Sequence, residues 1–140
     1  MNHKEPAVWA IFSKYIRLRD ANWQGYCSCI SCSVVLPIKE IQAGHFIDAG
    51  SDKALKYEET NVHAQCVSCN YFKSGNKLEY RRRLIDKIGI KLVEKLELSH
   101  HFKTTHKKLN QLELNAMYEF YKKKIKTLEE NRNMLKPYKV

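Results

Sequence analysis

Two short cysteine pairs offer the clearest chemistry in this sequence: Cys29-Ile30-Ser31-Cys32 and Cys66-Val67-Ser68-Cys69. Two residues between ligands let a chain turn tightly enough to present both sulfurs to one ion. Two such knuckles supply the four thiolates of a tetrahedral Zn²⁺ site. A redox pair would need only one C-x-x-C, and unrelated buried cysteines would not duplicate the spacing. The 33 residues between Cys32 and Cys66 exceed a simple zinc ribbon, so a segment is inserted between the knuckles. The fifth cysteine, Cys27, has four residues between it and Cys32 and reads as a thiol outside the ligand set.

The inserted segment carries Gly44-His45-Phe46 and Asn61, and Asn70 directly follows Cys69. Taken singly, each residue has an ordinary structural reading: a surface or core histidine, a turn cap, a helix surface position. Together they have a chemical logic. A neutral imidazole takes a proton from water near pH 7. An amide oxygen ligates a hard divalent cation. A second amide can hold the imidazole, or the loop beside it, in place. That set would suit metal-assisted hydrolysis of a phosphodiester.

Such groups need elements to position them. Val8, Ile11, Phe12, Tyr15 and Ile16 recur at helical spacing over Ala7 to Arg19, after a helix-starting Pro6. Val34 to Ile38 and Ile41 to Ile47 read as two short strands forming a hairpin around Lys39-Glu40, with Pro37 marking an edge. Residues 48–60 are polar and read as a loop, and 61–65 as a short strand or turn. A helix is expected to begin near Cys66–Cys69, bringing Asn70 opposite His45, with Ser74-Gly75-Asn76 interrupting it. Helices are predicted over 77–87 and 91–98, separated by Gly89, and a long one over 106–131. In the last, Leu109, Leu112, Ala116, Met117, Phe120, Tyr121, Ile125 and Leu128 fall near one face. The fold class is thus α+β and mostly helical. Its expected parts are an N-terminal helix packing on the core (1–25), a zinc-containing core with basic helices (26–98) and a long C-terminal helical extension (99–140).

The order C-x-x-C, His, Asn, C-x-x-C-Asn resembles the zinc-bearing HNH nucleases, also called ββα-metal or His-Me finger enzymes. More narrowly, "CISC", "QAGHFI", "NVHAQCVSCN" and "SGNKLEYRRRLIDKIG" resemble the NinG/Rap recombination proteins of lambdoid phages, over about Cys29 to Leu98. The layout is also similar to that of a phage Holliday-junction resolvase with four zinc thiolates. The resemblance implies a ββα-metal core on a structural zinc held by Cys29, Cys32, Cys66 and Cys69. It implies His45 as general base, Asn70 as ligand of a catalytic Mg²⁺ or Mn²⁺, and Asn61 as the residue orienting the site. It implies endonuclease action on branched or single-stranded recombination intermediates in the cytoplasm of a bacterial or phage-infected cell, with other recombination proteins as partners. One position departs from the pattern. Many HNH enzymes carry an Asp before the histidine as a second metal ligand, and here that residue is Gly44. Asp48 or His63 could assist the ion instead, or the chain could be a zinc-containing DNA-binding module without catalysis.

The net charge is +10, and its placement is informative. Residues 1–70 hold 7 Lys+Arg and 7 Asp+Glu, whereas residues 71–140 hold 18 and 8. A one-sided basic half fits a nucleic-acid backbone. Lys73, Lys77 and Arg81 fall at i, i+4 and i+8, with Arg82 and Arg83 beside them, and are the expected DNA contacts. The long terminal helix also allows a homodimer, whose two sites would suit two strands. No apolar run approaches the ~20 residues of a membrane span, and Met1 to Pro6 lacks the shape of a signal peptide. Secretion, a membrane partner and a disulfide scaffold are therefore not expected.

Overall fold

In the computed structural model, which describes residues 1–50, 53–101 and 108–135, helix α1 (Glu5–Asp20) leads into two small antiparallel sheets. Strand β1 (Tyr26–Ser28) pairs with β2 (Val35–Pro37), and β3 (Gln42–His45) pairs with β4 (Val62–Gln65). A π-type helical turn (Ser68–Phe72) follows β4, then α2 (Lys77–Ile88), α3 (Ile90–His101) and α4 (Gln111–Leu135). The described part is a mostly helical α+β fold, as expected, and none of its helices is long and apolar enough to cross a membrane.

The strand pairing differs from the expected hairpin around Lys39-Glu40. Those residues form a 3-10 turn (Ile38–Glu40) that passes the chain from one sheet to the other. The first strand pairs backwards with β1 across the Cys29–Cys32 knuckle, and the second pairs forwards with β4. The two β-rich stretches are only three and four residues long. At that length, hydrophobic pattern does not choose a partner, and the knuckle closes the nearer hairpin.

Register divides the second sheet into two faces, because directly opposed residues share a side. His45 opposes Val62 and Ala43 opposes Ala64; Gly44 opposes His63 and Gln42 opposes Gln65. Ala43 and Val62 join a core with Phe12, Tyr15 and Ile16 of α1 and Tyr121 and Ile125 of α4. The Phe12 and Tyr121 rings meet edge to face at 5.0 Å, and the Glu59 carboxylate accepts from both the Tyr15 and Tyr121 hydroxyls. On the other side, Tyr80 and Leu84 of α2 and Val93 and Leu96 of α3 pack with Ile30, Phe46 and Leu55. Asp20 ties the halves together. Its carboxylate accepts from Arg19, from the Ala64 amide at 2.8 Å and from Lys87 at 3.2 Å. Burial opposes its charge, but these donors outweigh that effect and hold its pKa below the ordinary carboxylate value.

In α4 the stripe is shifted by part of a turn from the expected one. Leu114, Tyr121 and Ile125 are buried and Met117 and Leu128 half-buried, whereas Leu112 and Phe120 are exposed. Leu109 precedes the helix. Residues 114, 117, 121, 125 and 128 keep one line along a 3.6-residue helix, and 112 and 120 lie off it.

Candidate functional site

The four knuckle sulfurs converge. The Sγ atoms of Cys29, Cys32, Cys66 and Cys69 all lie within 4.8 Å of one another, and Cys32 and Cys66 are 3.7 Å apart. Tetrahedral zinc with Zn–S bonds of about 2.3 Å places its sulfurs roughly 3.8 Å apart, so the cluster is compatible with a structural zinc. Donors also point at the sulfurs: the Ser31 and Cys66 amides at Cys29, the Cys69 amide at Cys66 and the Asn76 side chain at Cys69. Such N–H···S contacts favour thiolates and orient them. Cys27 lies outside the cluster, buried, with its thiol donating to the Arg17 carbonyl at 3.2 Å. Burial pushes that thiol up to about 11.

A cleft of about 490 Å³ is lined by Trp9, Ser13 and Arg17 of α1, Ile41 to Ala43, His45 and Asn70. His45 and Asn70 therefore meet in one cavity although 24 residues separate them. The His45 ring is half-buried and stacks on Trp9, with centroids 5.1 Å apart. Its Nε2 lies 3.0 Å from the Lys56 carbonyl. A carbonyl can only accept, so Nε2 carries the proton and Nδ1 keeps its lone pair. Burial holds the His45 pKa below the ordinary imidazole value, against the raising effect of the Lys56 hydrogen bond. The ring is thus neutral at pH 7. Asn70 donates its Nδ2 to Gln42 Oε1 at 2.8 Å, so Oδ1 is the atom with which it could meet a cation.

Asn61 does not touch the imidazole; it holds the loop beside it. Fully buried, it accepts from the Ile47 amide at 2.8 Å and donates to the Ile47 and Leu55 carbonyls at 2.9 and 3.0 Å. Leu55 precedes the residue whose carbonyl fixes His45, so Asn61 positions that carbonyl.

His63 lies on the face of the sheet opposite His45 and Ala43 and does not line the cleft. Its Nδ1 is 3.2 Å from the Tyr80 hydroxyl, which itself donates to the Gly44 carbonyl at 2.8 Å. The hydroxyl has one proton, so His63 Nδ1 donates to it. Burial lowers the His63 pKa to about 3. Gly44 has a packing reason. A Cβ there would lie 2.0 Å from Gln65 Oε1, because the buried Gln65 side chain crosses the sheet against it.

The expected cationic row is broken. Ser74, Gly75 and Asn76 all have positive φ, so Lys73 belongs to the turn before α2 and shares no helical face with Lys77 and Arg81. Lys77 donates to the His45 carbonyl and pairs with Asp48 at 2.9 Å. Arg81 forks onto Glu97 and Arg82 pairs with Glu79. Arg83 is half-buried, and Lys73 is exposed. Sequence reasoning missed Arg17 and Trp9 as residues of the cleft. One signal was available: Trp9, Ser13 and Arg17 stand at i, i+4 and i+8 on α1.

A family model described as "Bacteriophage Lambda NinG protein" matches residues 3–131. "Protein ninG" of Salmonella phage P22 is 37% identical over 121 residues, covering 85% of this chain and 54% of that protein. "Protein ninG" of Escherichia phage lambda is 35% identical over 119 residues, with 85% and 54% covered. That of Escherichia phage 933W is 34% identical over 119 residues, with 85% and 55% covered. The chain spans about half the length of the curated relatives it matches. No solved structure matches it.

Proposed function

The chain belongs to the NinG family, and from that premise we propose that it is a metal-dependent DNA endonuclease with an HNH-type, His-Me finger core. Its substrates on this reading are branched or single-stranded recombination intermediates. The observation that carries the proposal is the meeting of His45 and Asn70 in one cleft, with His45 held as a neutral base. His45 Nδ1 takes the proton of the water that attacks phosphorus, and the bond from phosphorus to the leaving sugar oxygen breaks. Stacking on Trp9 and the Lys56 carbonyl fix the ring plane, so little reorganisation is needed when the proton arrives. Asn70 Oδ1 is the proposed ligand of Mg²⁺ or Mn²⁺, with water and DNA phosphate completing the shell. That ion would supply charge stabilisation at the phosphate and leaving oxygen. Asn61 keeps the Lys56 carbonyl in register, and a structural zinc on the four cysteines would hold β4 and the Asn70 turn against the rest.

The test is a cleavage assay of the zinc-loaded protein on junction, flap, loop, single-stranded and linear duplex DNA with Mg²⁺ or Mn²⁺. His45→Ala should abolish cleavage while leaving DNA binding and unfolding largely unchanged. A parallel loss of binding and cleavage would make His45 structural. Gly44 favours a second reading, a zinc-containing DNA-binding module without catalysis, because it offers the ion no carboxylate. That reading wins if the unmodified protein binds DNA but never nicks it under any of these ions.

A further inference from the structure

The basic half of the sequence does not supply the cation of the cleft; the neutral half does. Arg17 reaches the cleft from α1, outside the Cys29–Leu98 stretch that carries the HNH pattern. Its guanidinium is anchored by two backbone carbonyls. Nε donates to Ser13 at 3.3 Å and Nη1 to Ile38 at 3.1 Å. These bonds use two of its five N–H donors and fix the plane of the fork.

Carboxylates engage other cations of this protein: Arg19 has Asp20, Lys77 has Asp48, Arg81 has Glu97 and Arg82 has Glu79. Among the described residues no carboxylate forms an ion pair with Arg17, and no acidic residue lines the cleft. A half-buried cation with spare donors and no counter-charge is costly unless an anion joins it. Burial depresses the Arg17 pKa, as expected for a cation short of opposite charge, though arginine stays protonated throughout the working range. A fixed, planar fork with free donors matches the oxygens of a phosphodiester.

We propose that Arg17 binds a DNA backbone phosphate in the His45–Asn70 cleft, holding it where the His45 imidazole can reach its attacking water. The inference rests on the reading of the cleft as a DNA site, but phosphate binding by Arg17 does not depend on cleavage. Arg17 is thereby assigned as the cleft's phosphate-binding group, a role expected from sequence of the lysines and arginines after Asn70.

The experiment measures DNA affinity of the zinc-loaded full chain by fluorescence anisotropy across a salt series, without added Mg²⁺ or Mn²⁺. Each phosphate contact on duplex DNA contributes about 0.9 to the slope of log affinity against log salt, and about 0.7 on single strands. Arg17→Gln should reduce the slope by about that amount, and Arg17→Lys should restore it. A folded Arg17→Gln protein with the wild-type slope overturns the proposal, as does a wild-type chain that binds no DNA. If Arg17→Gln does not fold, the Arg17 Nε–H resonance of the unmodified protein decides the matter. It must shift when a short single-stranded oligonucleotide is added, and an unmoved signal overturns the proposal. A chain that passes these tests but never cleaves would sink the nuclease reading alone.

Discussion

Gly44→Ala should destabilise this protein in spite of the extended backbone at that position. The new Cβ would meet Gln65 Oε1 at 2.0 Å, Gln65 Cβ at 2.9 Å and Gln65 Cδ at 3.0 Å. Rotating the amide away would relieve only the first contact, since the Gln65 Cβ is itself too close. Gln65 is also fully buried and tied down, with Nε2 donating to Ser31 Oγ at 2.9 Å and the Gly75 carbonyl at 2.6 Å. Overpacking of this kind costs about 1–3 kcal/mol. Pulling Nε2 off two buried acceptors costs roughly 1–3 kcal/mol for each acceptor left unpaired. A net loss of about 2–4 kcal/mol follows if the side chain yields partly on both counts. In a Gln65→Gly background all three clashing atoms are gone, and alanine at 44 gains about 0.5–1 kcal/mol over glycine from its smaller backbone entropy in a strand. The sign of the substitution should therefore reverse between the two backgrounds, a coupling of about 3 kcal/mol. Urea unfolding of the zinc-loaded proteins, followed by the fluorescence of Trp9 and Trp23, measures it. Equal costs in both backgrounds, within the roughly 0.5 kcal/mol expected of independent sites, would refute the steric argument. They would also remove the explanation of why position 44 carries no carboxylate.

Asn61→Ala should cost at least about 2 kcal/mol, because it strips partners from the Ile47 amide and from the Ile47 and Leu55 carbonyls at once. Under the proposed function its cleavage rate should fall further than the stability loss explains, and an unchanged rate in the folded variant would count against Asn61 as a positioning residue. His63 gives the protein an acid limb. Its folded pKa of about 3 lies below the ordinary value near 6.5, so the unfolded chain binds a proton that the fold refuses. Stability present above pH ~6.5 is then lost as pH falls toward 3, by up to about 1.4 kcal/mol per pH unit. In His63→Gln this slope should shrink by about one proton, and identical slopes in urea titrations from pH 4.5 to 7 would exclude the effect. Finally, the protein should hold one zinc, and chelation should abolish cooperative unfolding of the knuckle region. Cobalt in its place should show thiolate-to-metal absorption, and a chain purified with no tightly held ion would contradict the site.

The four-cysteine cluster was legible in the sequence because ligand spacing is a local property. A C-x-x-C turn aims two sulfurs wherever the chain goes, and only the meeting of the two knuckles needs the fold. The helices were legible for a similar reason, since α1 and α2 begin within two residues of their predicted starts. Strand pairing was not legible. Nothing in Val34 to Ile38 says whether its partner lies before it or after it, and the 3-10 turn at Ile38–Glu40 decided against the expected hairpin. The candidate site divides in the same way. His45 and Asn70 could be singled out by residue type and order, and the fold brings them to one cleft. The face of His63 was not legible, because one strand residue earlier or later changes face and the register with Gly44 sets it. Arg17 could not be located from charge, since it sits in the half whose charges balance.

Charge balance also obscures what the basic residues after Asn70 do. Lys77 and Tyr80 stand one turn apart on α2, and they bond the carbonyls of two consecutive residues, His45 and Gly44. One helix face thus grips the end of β3 just where the imidazole leaves the strand. A lysine in that position is constrained by the carbonyl and by Asp48, so it has fewer donors left for a phosphate than a solvated side chain would. Arg81 and Arg82 are likewise engaged by carboxylates, although these surface pairs are weak and a polyanion could compete for them. On the proposed DNA-binding reading, the positive field of the second half would act over distance, raising the rate at which an anionic strand arrives. Placement within the cleft would then fall to groups fixed by the backbone: Arg17 by the Ser13 and Ile38 carbonyls, and His45 by the Lys56 carbonyl. Net charge and site charge are in this protein carried by different halves of the chain, and only the second of them depends on the fold.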